Sequence, residues 1–319
     1  MMHLTSSVPT IAPCQVEGNR PLWSVMIPTY NCADYLRITL ASVLAQDPGP
    51  ELMQIEVVDD ASAKDDPAAV VQEIGRGRVQ FFRKPYNEGA IANFNTCVQR
   101  SRGQLVHILH GDDAVKPGFY SRMEQALLSQ EAVGAAFCRQ EYIDQQGRRQ
   151  STTRYLQNQS GLMPDALSVL ALTNRIQPPA IVVKRHVYET LGGYDARLFH
   201  SADWEMWVRI AARYPIWFEV EPLVAYRVHG QSDTSRLFQT GANIQERRLC
   251  IEICRHYFPS DRAGRLYRQA LGYSALYAAK TASKFMTSGH WQIALVQFKE
   301  AALCLLKLYR PTQDPVTGA

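Results

Sequence analysis

Two adjacent carboxylates, Asp112 and Asp113, stand at the end of a short apolar segment. The residues before them, Val106-His107-Ile108-Leu109, have the composition of a buried strand, and Gly111 permits a tight turn. Neighbouring carboxylates repel each other unless a hard cation or hydrogen-bond donors offset their charge. The pair therefore predicts either a site for Mg²⁺ or Mn²⁺ carrying a diphosphate, or a solvated turn that caps a helix near Pro117.

Two other predicted strands also run into polar, turn-forming residues. Residues 22–27 are an apolar run that stops at Pro28-Thr29-Tyr30-Asn31, and residues 55–58 run into Asp59-Asp60. In open α/β sheets, ligands bind beyond the carboxyl ends of the strands. We therefore expect these loops and the Asp112-Asp113 turn to converge.

Helical patterns separate these strands. One helix begins near Asp34, and its apolar stripe, spaced for packing on a sheet, is Leu36, Leu40, Val43 and Leu44. Pro67 stands at an early position of the next helix, where its missing N–H costs nothing, and Asn87-Glu88-Gly89 opens a third helix that carries Asn93. This alternation predicts a mostly parallel sheet covered on both faces.

The rest of the chain contains shorter and more varied elements. We predict a helix over 119–129, a strand over 133–138, a hairpin turn at 144–147, a surface loop over 148–160 and strands over 181–183 and 224–229. From about residue 237 the pattern is helical throughout, with helices over 243–256, 263–286 and 290–308.

Composition excludes several classes of protein. A chain of 319 residues with 46% apolar residues can bury a full core, and a net charge of +4 is too small and dispersed to predict nucleic-acid binding. Seven cysteines without a CxxC pair predict reduced thiols in the cytoplasm rather than disulfides or a zinc site. We expect neither a signal peptide nor a membrane span, because no apolar run is suitable.

The loop after the first strand does not suit a dinucleotide. A Rossmann domain would have GxGxxG there, whereas this chain has Pro28-Thr29-Tyr30-Asn31-Cys32-Ala33, and it also lacks the Walker lysine motif. Without glycine the backbone cannot approach a pyrophosphate in that way. We expect a metal ion to hold the phosphates instead.

Four segments resemble, in order, the motifs of family 2 glycosyltransferases of the GT-A fold. They are Val25-Met26-Ile27-Pro28-Thr29-Tyr30-Asn31, Val57-Val58-Asp59-Asp60-Ala61-Ser62, Asn87-Glu88-Gly89 with Asn93, and His110-Gly111-Asp112-Asp113. The resemblance implies an inverting, metal-dependent transferase that moves a sugar from a UDP-, GDP- or dTDP-linked donor to a hydroxyl of a saccharide or lipid-linked saccharide. Surface-polysaccharide assembly is the typical setting of such enzymes.

The resemblance also implies roles for individual residues. Asp60 would accept the imino N–H of a uracil-like base, Asp112 would contact the ribose or the donor sugar, and Asp113 would bind Mg²⁺ or Mn²⁺. The family often has a further Asp where Gly111 stands, which leaves the donor-sugar contact open. The expected nucleotide-sugar-binding residues are Pro28, Tyr30, Asn31, Asp60, Asn87, Asn93, Asp112 and Arg227.

The expected catalytic base is Asp203, in the segment Asp203-Trp204-Glu205-Met206-Trp207. By resemblance this is the acidic motif whose Asp deprotonates the acceptor hydroxyl, and direct inversion needs such a base opposite the departing nucleotide. The alternative is that Asp203 only caps a helix. Glu205 is the reserve base, and Trp204 either stacks on a sugar or packs in the core.

A second metal ligand is expected at His229, which ends the segment Arg227-Val228-His229. Family members carry an Arg-x-His segment here whose histidine can complete the metal site. Arg227 would either offer its planar fork to the diphosphate or pair with an acid of the sheet.

We therefore expect a loosely attached or disordered segment over 1–20, a catalytic domain over 21–236 and a helical extension over 237–319. The catalytic domain would consist of a nucleotide-binding half, 21–115, and an acceptor half, 116–236. The apolar face of the last helix would pack on the catalytic domain, or would serve in self-association or in peripheral contact with the inner face of the membrane. Its members are Trp291, Leu295, Phe298, Ala302, Leu305 and Leu306.

Two other functions remain open at this level. A sugar-1-phosphate nucleotidyltransferase could share the topology, although it ordinarily has a Gly-rich loop with a basic residue where Pro28-Thr29-Tyr30 stands. A non-catalytic nucleotide-sugar-binding or interaction protein is the other alternative.

Overall fold

The computed structural model describes residues 8–15, 19–228, 237 and 239–309. Its contacts divide the chain into two compact units. The first comprises residues 1–166, 176–199 and 213–229, and the second comprises residues 167–175, 200–212 and 230–319. The division therefore differs from a single cut after residue 236, because two internal segments group with the C-terminal helices.

Strands and helices alternate through most of the first unit, as the sequence pattern predicts. In chain order the elements are β1 (Trp23–Thr29), α1 (Ala33–Leu44), β2 (Met53–Asp59), α2 (Pro67–Gly75), β3 (Gln80–Arg83), α3 (Ala90–Arg100), β4 (Leu105–Ile108), β5 (Ala114–Val115), α4 (Phe119–Leu128), β6 (Ala135–Ile143), β7 (Arg149–Thr152), β8 (Gly161–Leu162), α5 (Ala166–Leu172), β9 (Ile181–Lys184), α6 (Arg185–Leu191), α7 (Ala202–Ala211), β10 (Ile216–Arg227), α8 (Ala242–Cys254), α9 (Ala263–Thr287) and α10 (Trp291–Tyr309).

One mixed sheet runs through the first unit in the order β3-β2-β1-β4-β9-β6-β10-β5. Strands β3, β2, β1 and β4 run parallel to one another, which brings their carboxyl ends to one edge. Strand β9 pairs antiparallel with both β4 and β6, and β10 runs parallel to β6 and antiparallel to β5. The sheet is thus parallel in the half that carries the predicted nucleotide-binding loops and mixed beyond it.

Local sequence accounts for the helix starts in the parallel half. The Asp66 side chain accepts the N–H groups of Ala68 and Ala69 at 3.1 and 3.2 Å, and Pro67 opens α2. Helix α1 buries Leu36, Leu40 and Val43 completely, as its spacing predicts. These caps and stripes depend only on near neighbours in the chain, so the sequence predicts them well.

Three local expectations need correction. The N-terminal segment is attached where it is described, since Ile11 is buried and Arg185 donates to the carbonyl of Ala12. Residues 149–152 of the expected 148–160 loop form strand β7, which pairs with β6 across the predicted hairpin turn. Ser201, and not Asp203, is the N-cap residue of α7, because the helix begins at Ala202, two residues before the start that a cap at Asp203 would give.

The second unit is helical. Helix α7 packs against α8, which explains why residues 200–212 group with the C-terminal region, and α9 and α10 form a long helical hairpin. A cluster of buried residues holds α8, α9 and α10 together: Ile244, Ala275, Ala278, Ala301 and Cys304. None of the helices in the described ranges is both long and apolar enough to span a membrane.

Candidate active site

Three loops meet at the carboxyl edge of the parallel strands in the first unit. Main-chain hydrogen bonds join the end of β1 to the loops on both sides: Asp60 N–H donates to the Thr29 carbonyl at 3.0 Å, and Gly111 N–H donates to the Pro28 carbonyl at 3.1 Å. The loops after β1, β2 and β4 therefore share one edge of the sheet, as the sequence predicts.

The loops after β1 and β2 interlock through Asn31. Its side-chain oxygen accepts the N–H groups of Ala63 and Lys64, both at 3.0 Å, and its own N–H donates to Ser62 Oγ at 2.8 Å. Asn31 has a φ of 51°, in the left-handed region that non-glycine residues seldom occupy. Asparagine adopts this region more readily than other non-glycine residues do, and the three hydrogen bonds of Asn31 hold the loops after β1 and β2 together.

The Asp60 carboxylate holds the start of α3. It is buried, and its two oxygens accept the N–H groups of Glu88 at 3.1 Å and Gly89 at 2.8 Å, while Lys84 Nζ lies 3.1 Å from Oδ1. One turn into the helix, Asn93 donates to the Val58 carbonyl at 2.9 Å. These contacts tie the Asn87-Glu88-Gly89 loop to β2. Base recognition by Asp60 stays a prediction.

The turn after β4 brings three metal-ligating side chains together. One ligand atom each from His110, Asp112 and Asp113 lies within 4.8 Å of the others, which suits a single divalent ion at ordinary ligand distances. Two of these groups also have buried atoms, His110 Nε2 and Asp113 Oδ2, that lack a hydrogen-bond partner among the described residues. Buried polar atoms are normally paired, so this turn fits a cation.

Electrostatics favour the same interpretation. Burial, reinforced by the neighbouring Asp112, raises the pKa of the Asp113 carboxyl well above its usual range, although Arg227 opposes the shift. Burial lowers the pKa of the His110 imidazole, which keeps the ring neutral and leaves a nitrogen lone pair for a metal. The ionised form of Asp113 is therefore costly to bury unless a positive ion lies beside it.

Arg227, at the end of β10, also holds the acidic turn through hydrogen bonds. Its N–H donates to Asp113 Oδ1 at 2.7 Å, and its guanidinium donates to the carbonyls of Asp112, Asp144 and Gln145 at 2.9, 3.0 and 3.1 Å. The side chain is buried and lies over the Tyr35 ring. Arg227 therefore anchors the backbone of two loops, a contact that neither of the sequence alternatives included. Its diphosphate contact stays a prediction.

Helix α1 supports the turn through Thr39, a fully buried side chain. Its hydroxyl lies 2.7 Å from the Asp113 carbonyl and 3.1 Å from the Gly111 carbonyl. A Cβ at position 111 would lie 3.0 Å from both Cys32 Sγ and Thr29 Oγ1. A side chain in place of Gly111, such as the further Asp of the motif, would need these neighbours to move.

Replacing Thr39 with Val should lower the free energy of unfolding by about 1–2 kcal/mol, because the isosteric change removes a buried donor and leaves two carbonyls under-bonded. Chemical denaturation of the metal-free protein measures this effect. Thr190→Val is the matched control, since the Thr190 hydroxyl makes an exposed bond to the His186 carbonyl within α6. Equal destabilisation of the two variants would contradict the anchoring role.

Asp203 lies in the first turn of α7, in the second unit. Its carboxylate is nearly buried and accepts from Asn174 Nδ2 at 2.8 Å and from the Trp204 N–H at 2.6 Å. Burial, with a smaller contribution from Glu246, raises its pKa to about 7 despite these hydrogen bonds. A carboxylate with a pKa near neutrality can both take up and release a proton at physiological pH.

The neighbours of Asp203 have structural partners. Glu205 is fully buried, pairs with Arg209 through two contacts of 2.9 and 2.8 Å, and accepts the Tyr257 hydroxyl at 2.7 Å. Trp204 is buried and donates to the Leu170 carbonyl at 2.6 Å, which makes it a core residue rather than an exposed sugar platform. Glu205 is thus held by structural partners, whereas Asp203 has the raised pKa that is expected of a base.

The remaining predicted residues differ in exposure. Tyr30 is 49% exposed and Asn87 is also exposed, so both can contact a ligand, whereas Pro28 is buried at the end of β1. His229 lies outside the described residues. His110 was absent from the predicted ligands, because its proximity to Asp113 depends on the shape of the turn. The only signal in the sequence was an imidazole two residues before the acid pair.

Comparison with known proteins gives the following matches. The model of the family described as "Glycosyl transferase family 2" matches residues 24–192, more than half of the chain. An uncharacterized protein of Mycobacterium tuberculosis, MT1568, is 28% identical over 257 residues, which cover 77% of this chain and 78% of that protein.

Solved structures share the fold. The crystal structure of S. aureus TarS 1-349 in complex with UDP-GlcNAc has a TM-score of 0.66 at 15% identity and covers 88% of this chain and 81% of that one. The mannosyltransferase PcManGT from Pyrobaculum calidifontis, in complex with GDP-Man and Mn²⁺, has a TM-score of 0.55 at 18% identity and covers 93% and 90% of the two chains.

Proposed function

Because this chain belongs to glycosyl transferase family 2 and has the GT-A fold, we propose that it is a metal-dependent, inverting glycosyltransferase. The proposed reaction moves a sugar from a nucleoside-diphosphate donor to an acceptor hydroxyl. Family membership itself supports the glycosyltransferase class, and it makes the nucleotidyltransferase and non-catalytic alternatives the weaker interpretations.

The observation that carries the proposal is the acidic turn of His110, Asp112 and Asp113, with its unpaired buried ligand atoms. We propose that these three side chains hold Mg²⁺ or Mn²⁺, and that His229 is a further ligand. A divalent ion at this turn would neutralise the charge that develops on the departing nucleoside diphosphate. The neighbour PcManGT was solved with GDP-Man and Mn²⁺, which supports a metal role in this fold.

The donor-binding residues divide by their contacts into two groups. Tyr30 and Asn87 are exposed and are the proposed direct contacts to the base and ribose, and Asp112 is the proposed contact to the ribose or donor sugar. Four other residues bond main-chain groups and so position the loops, and we keep their predicted donor contacts as part of the proposal: Asn31, Asp60, Asn93 and Arg227. These contacts leave the donor nucleoside open among uridine, guanosine and thymidine.

Asp203 is the proposed general base. Direct displacement at the anomeric carbon gives inversion without a covalent intermediate, and a carboxylate must remove the proton of the attacking hydroxyl. The pKa of about 7 supports this role, because the basic form is populated at neutral pH while the group still has proton affinity.

We also propose a setting in the cytoplasm and a part in surface-polysaccharide or glycan assembly, with a saccharide or lipid-linked saccharide as acceptor. The compartment is supported by the cysteines, since Cys14, Cys32, Cys97, Cys138, Cys250, Cys254 and Cys304 are all free thiols.

Calorimetric titration of UDP, GDP and dTDP, each with and without Mn²⁺, tests the function. We expect at least one of them to bind, and its affinity to rise about tenfold or more with Mn²⁺, because the ion bridges the acidic turn and the diphosphate. Adenosine diphosphate is a matched control of the same charge. Equal, metal-independent binding of all three nucleotides would count against the proposed site.

A further inference from the structure

The hairpin formed by α9 and α10, residues 263–309, concentrates the positive charge of the chain. It contains the cations Arg265, Arg268, Lys280, Lys284, Lys299 and Lys307, with Glu300 as its acid, so its formal charge is 6 − 1 = +5. The whole chain carries only +4, which leaves a formal −1 for all other residues together. The hairpin is therefore a local cationic region within a nearly neutral protein.

The acid of the hairpin does not reduce its surface charge. Glu300 is only 2% exposed and pairs with Arg248 of α8, inside the helical unit. In contrast, Lys280, Lys284 and Lys299 are exposed. Lys307 pairs with Glu252 of α8, so the positive field that reaches solvent from the hairpin comes from its other cations.

The last helix also presents an apolar stripe to solvent. Five large side chains recur along α10 at i, i+4, i+7, i+14 and i+15, a spacing that aligns them on one face. This apolar stripe consists of Trp291, Leu295, Phe298, Leu305 and Leu306, which are 61, 68, 39, 47 and 62% exposed.

A separate face of α10 makes the packing contacts within the helical unit. Ala294, Gln297, Ala301 and Cys304 are buried there, so the stripe is additional to the residues that hold α10 in place. Helix α9 adds exposed Leu276, followed by Lys280 and Lys284 at i+4 and i+8 on the same face. Scattered apolar side chains are normal on surfaces, but an aligned row of this kind indicates a binding surface.

We propose that the apolar stripe and the lysines of this hairpin dock on the surface of an anionic lipid bilayer. Leu295, Phe298 and Leu306 would enter the boundary between headgroups and acyl chains, Trp291 would lie at the level of the headgroups, and the lysines would pair with lipid phosphates. The charge decides between a membrane and a second copy of the chain. Two hairpins that each expose several lysines and arginines, unpaired among the described residues, would repel each other across a symmetric interface, whereas an anionic bilayer attracts them.

Co-sedimentation of the full chain with large vesicles tests the proposal. The vesicles contain phosphatidylcholine alone, or phosphatidylcholine with about 30% phosphatidylglycerol. We expect at least about tenfold stronger partitioning onto the anionic vesicles, and weaker partitioning as salt screens the lysines. For the stripe variant, Leu295→Ser with Leu306→Ser, partitioning onto the anionic vesicles should fall about tenfold or more, because the substitutions remove the two most exposed leucine side chains of the stripe.

The matched control is Leu52→Ser with Leu128→Ser, which changes two leucines that are 49 and 54% exposed in the first unit. It should partition like the unchanged protein. Absence of binding to the anionic vesicles would overturn the proposal, as would equal binding of the stripe variant. So would a dimer in analytical ultracentrifugation that the stripe substitutions abolish without any lipid binding, since the stripe would then be an interface between copies.

Discussion

Replacing Asp203 with Asn should lower kcat for sugar transfer by about 10²–10⁴-fold and leave the Kd for the nucleoside diphosphate unchanged. Asparagine is nearly isosteric with aspartate but cannot accept the proton of the attacking hydroxyl. The acidic turn that we propose for the diphosphate belongs to other residues, His110, Asp112 and Asp113. Steady-state rates and calorimetry on the same preparation separate the two effects.

The pH dependence of kcat is a second test of Asp203 as the general base. With a pKa of about 7, Asp203 is mostly protonated under acidic conditions, so kcat should fall about tenfold per pH unit below pH 6 and level off above pH 8. The residual activity of the Asp203→Asn variant should not show this fall of kcat at low pH. A pH profile identical to that of the unchanged enzyme would contradict the assignment.

The free energy of unfolding of Asp203→Asn shows whether the variant folds, and the pKa of Asp203 predicts the sign of its change. The folded-state pKa lies above the ordinary 3.8, so the folded protein holds this proton more tightly than the unfolded chain does. The carboxyl therefore makes stability fall as pH rises from about 4 to 7. Asp203→Asn should therefore be at least as stable as the unchanged protein at pH 8. The control for activity is Asp261→Asn, which changes an exposed aspartate and should leave kcat unchanged.

Replacing Asp113 with Asn should weaken Mn²⁺-dependent nucleotide binding by about 10²-fold or more. Asp113 contributes the buried Oδ2 that lacks a hydrogen-bond partner among the described residues, while its Oδ1 already accepts the Arg227 N–H. An amide keeps the size of the side chain but removes the charge that a divalent ion requires. Calorimetry with and without Mn²⁺ measures the loss.

Thermal unfolding provides a readout independent of nucleotide. Mn²⁺ should raise the Tm of the unchanged protein by mass action and should leave that of Asp113→Asn unchanged. His110→Asn should show an intermediate loss and a shift of preference towards Mg²⁺, because imidazole favours softer transition metals. His290→Asn, an exposed histidine, is the control. Equal Mn²⁺ stabilisation of the unchanged protein and Asp113→Asn would exclude Asp113 as a ligand.

Much of the fold was predictable because its signals are local. The apolar run that ends at Thr29 became β1, the Asp66-Pro67 pair capped and opened α2, and the pattern from residue 263 became a helix almost to the predicted bounds. Caps, stripes and strand runs depend on residues within a few positions of one another. The fold class and the family followed from the order of such segments.

The roles of polar residues in the site were much less predictable. The predicted contacts of Arg227 and Asn31 with the donor stay predictions, and the structure adds that both side chains bond main-chain groups of other loops, a role that the sequence did not indicate. A sequence indicates which side chains can form hydrogen bonds, but not whether the backbone nearby has already used them. The same limit hid His110, whose position beside Asp112 and Asp113 depends on a turn held by Thr39 and Gly111.

The sequence by itself determined the alternation of strands and helices, the acidic loop after β4 and the membership of the family. Only the tertiary structure decided that β9 enters antiparallel between β4 and β6, that residues 200–212 group with the C-terminal helices, and that burial brings the pKa of Asp203 to about 7. The physical reason is the separation along the chain of the residues that interact. Secondary structure is encoded by neighbours along the chain, whereas strand order, burial and charge environment are set by residues that meet only after folding.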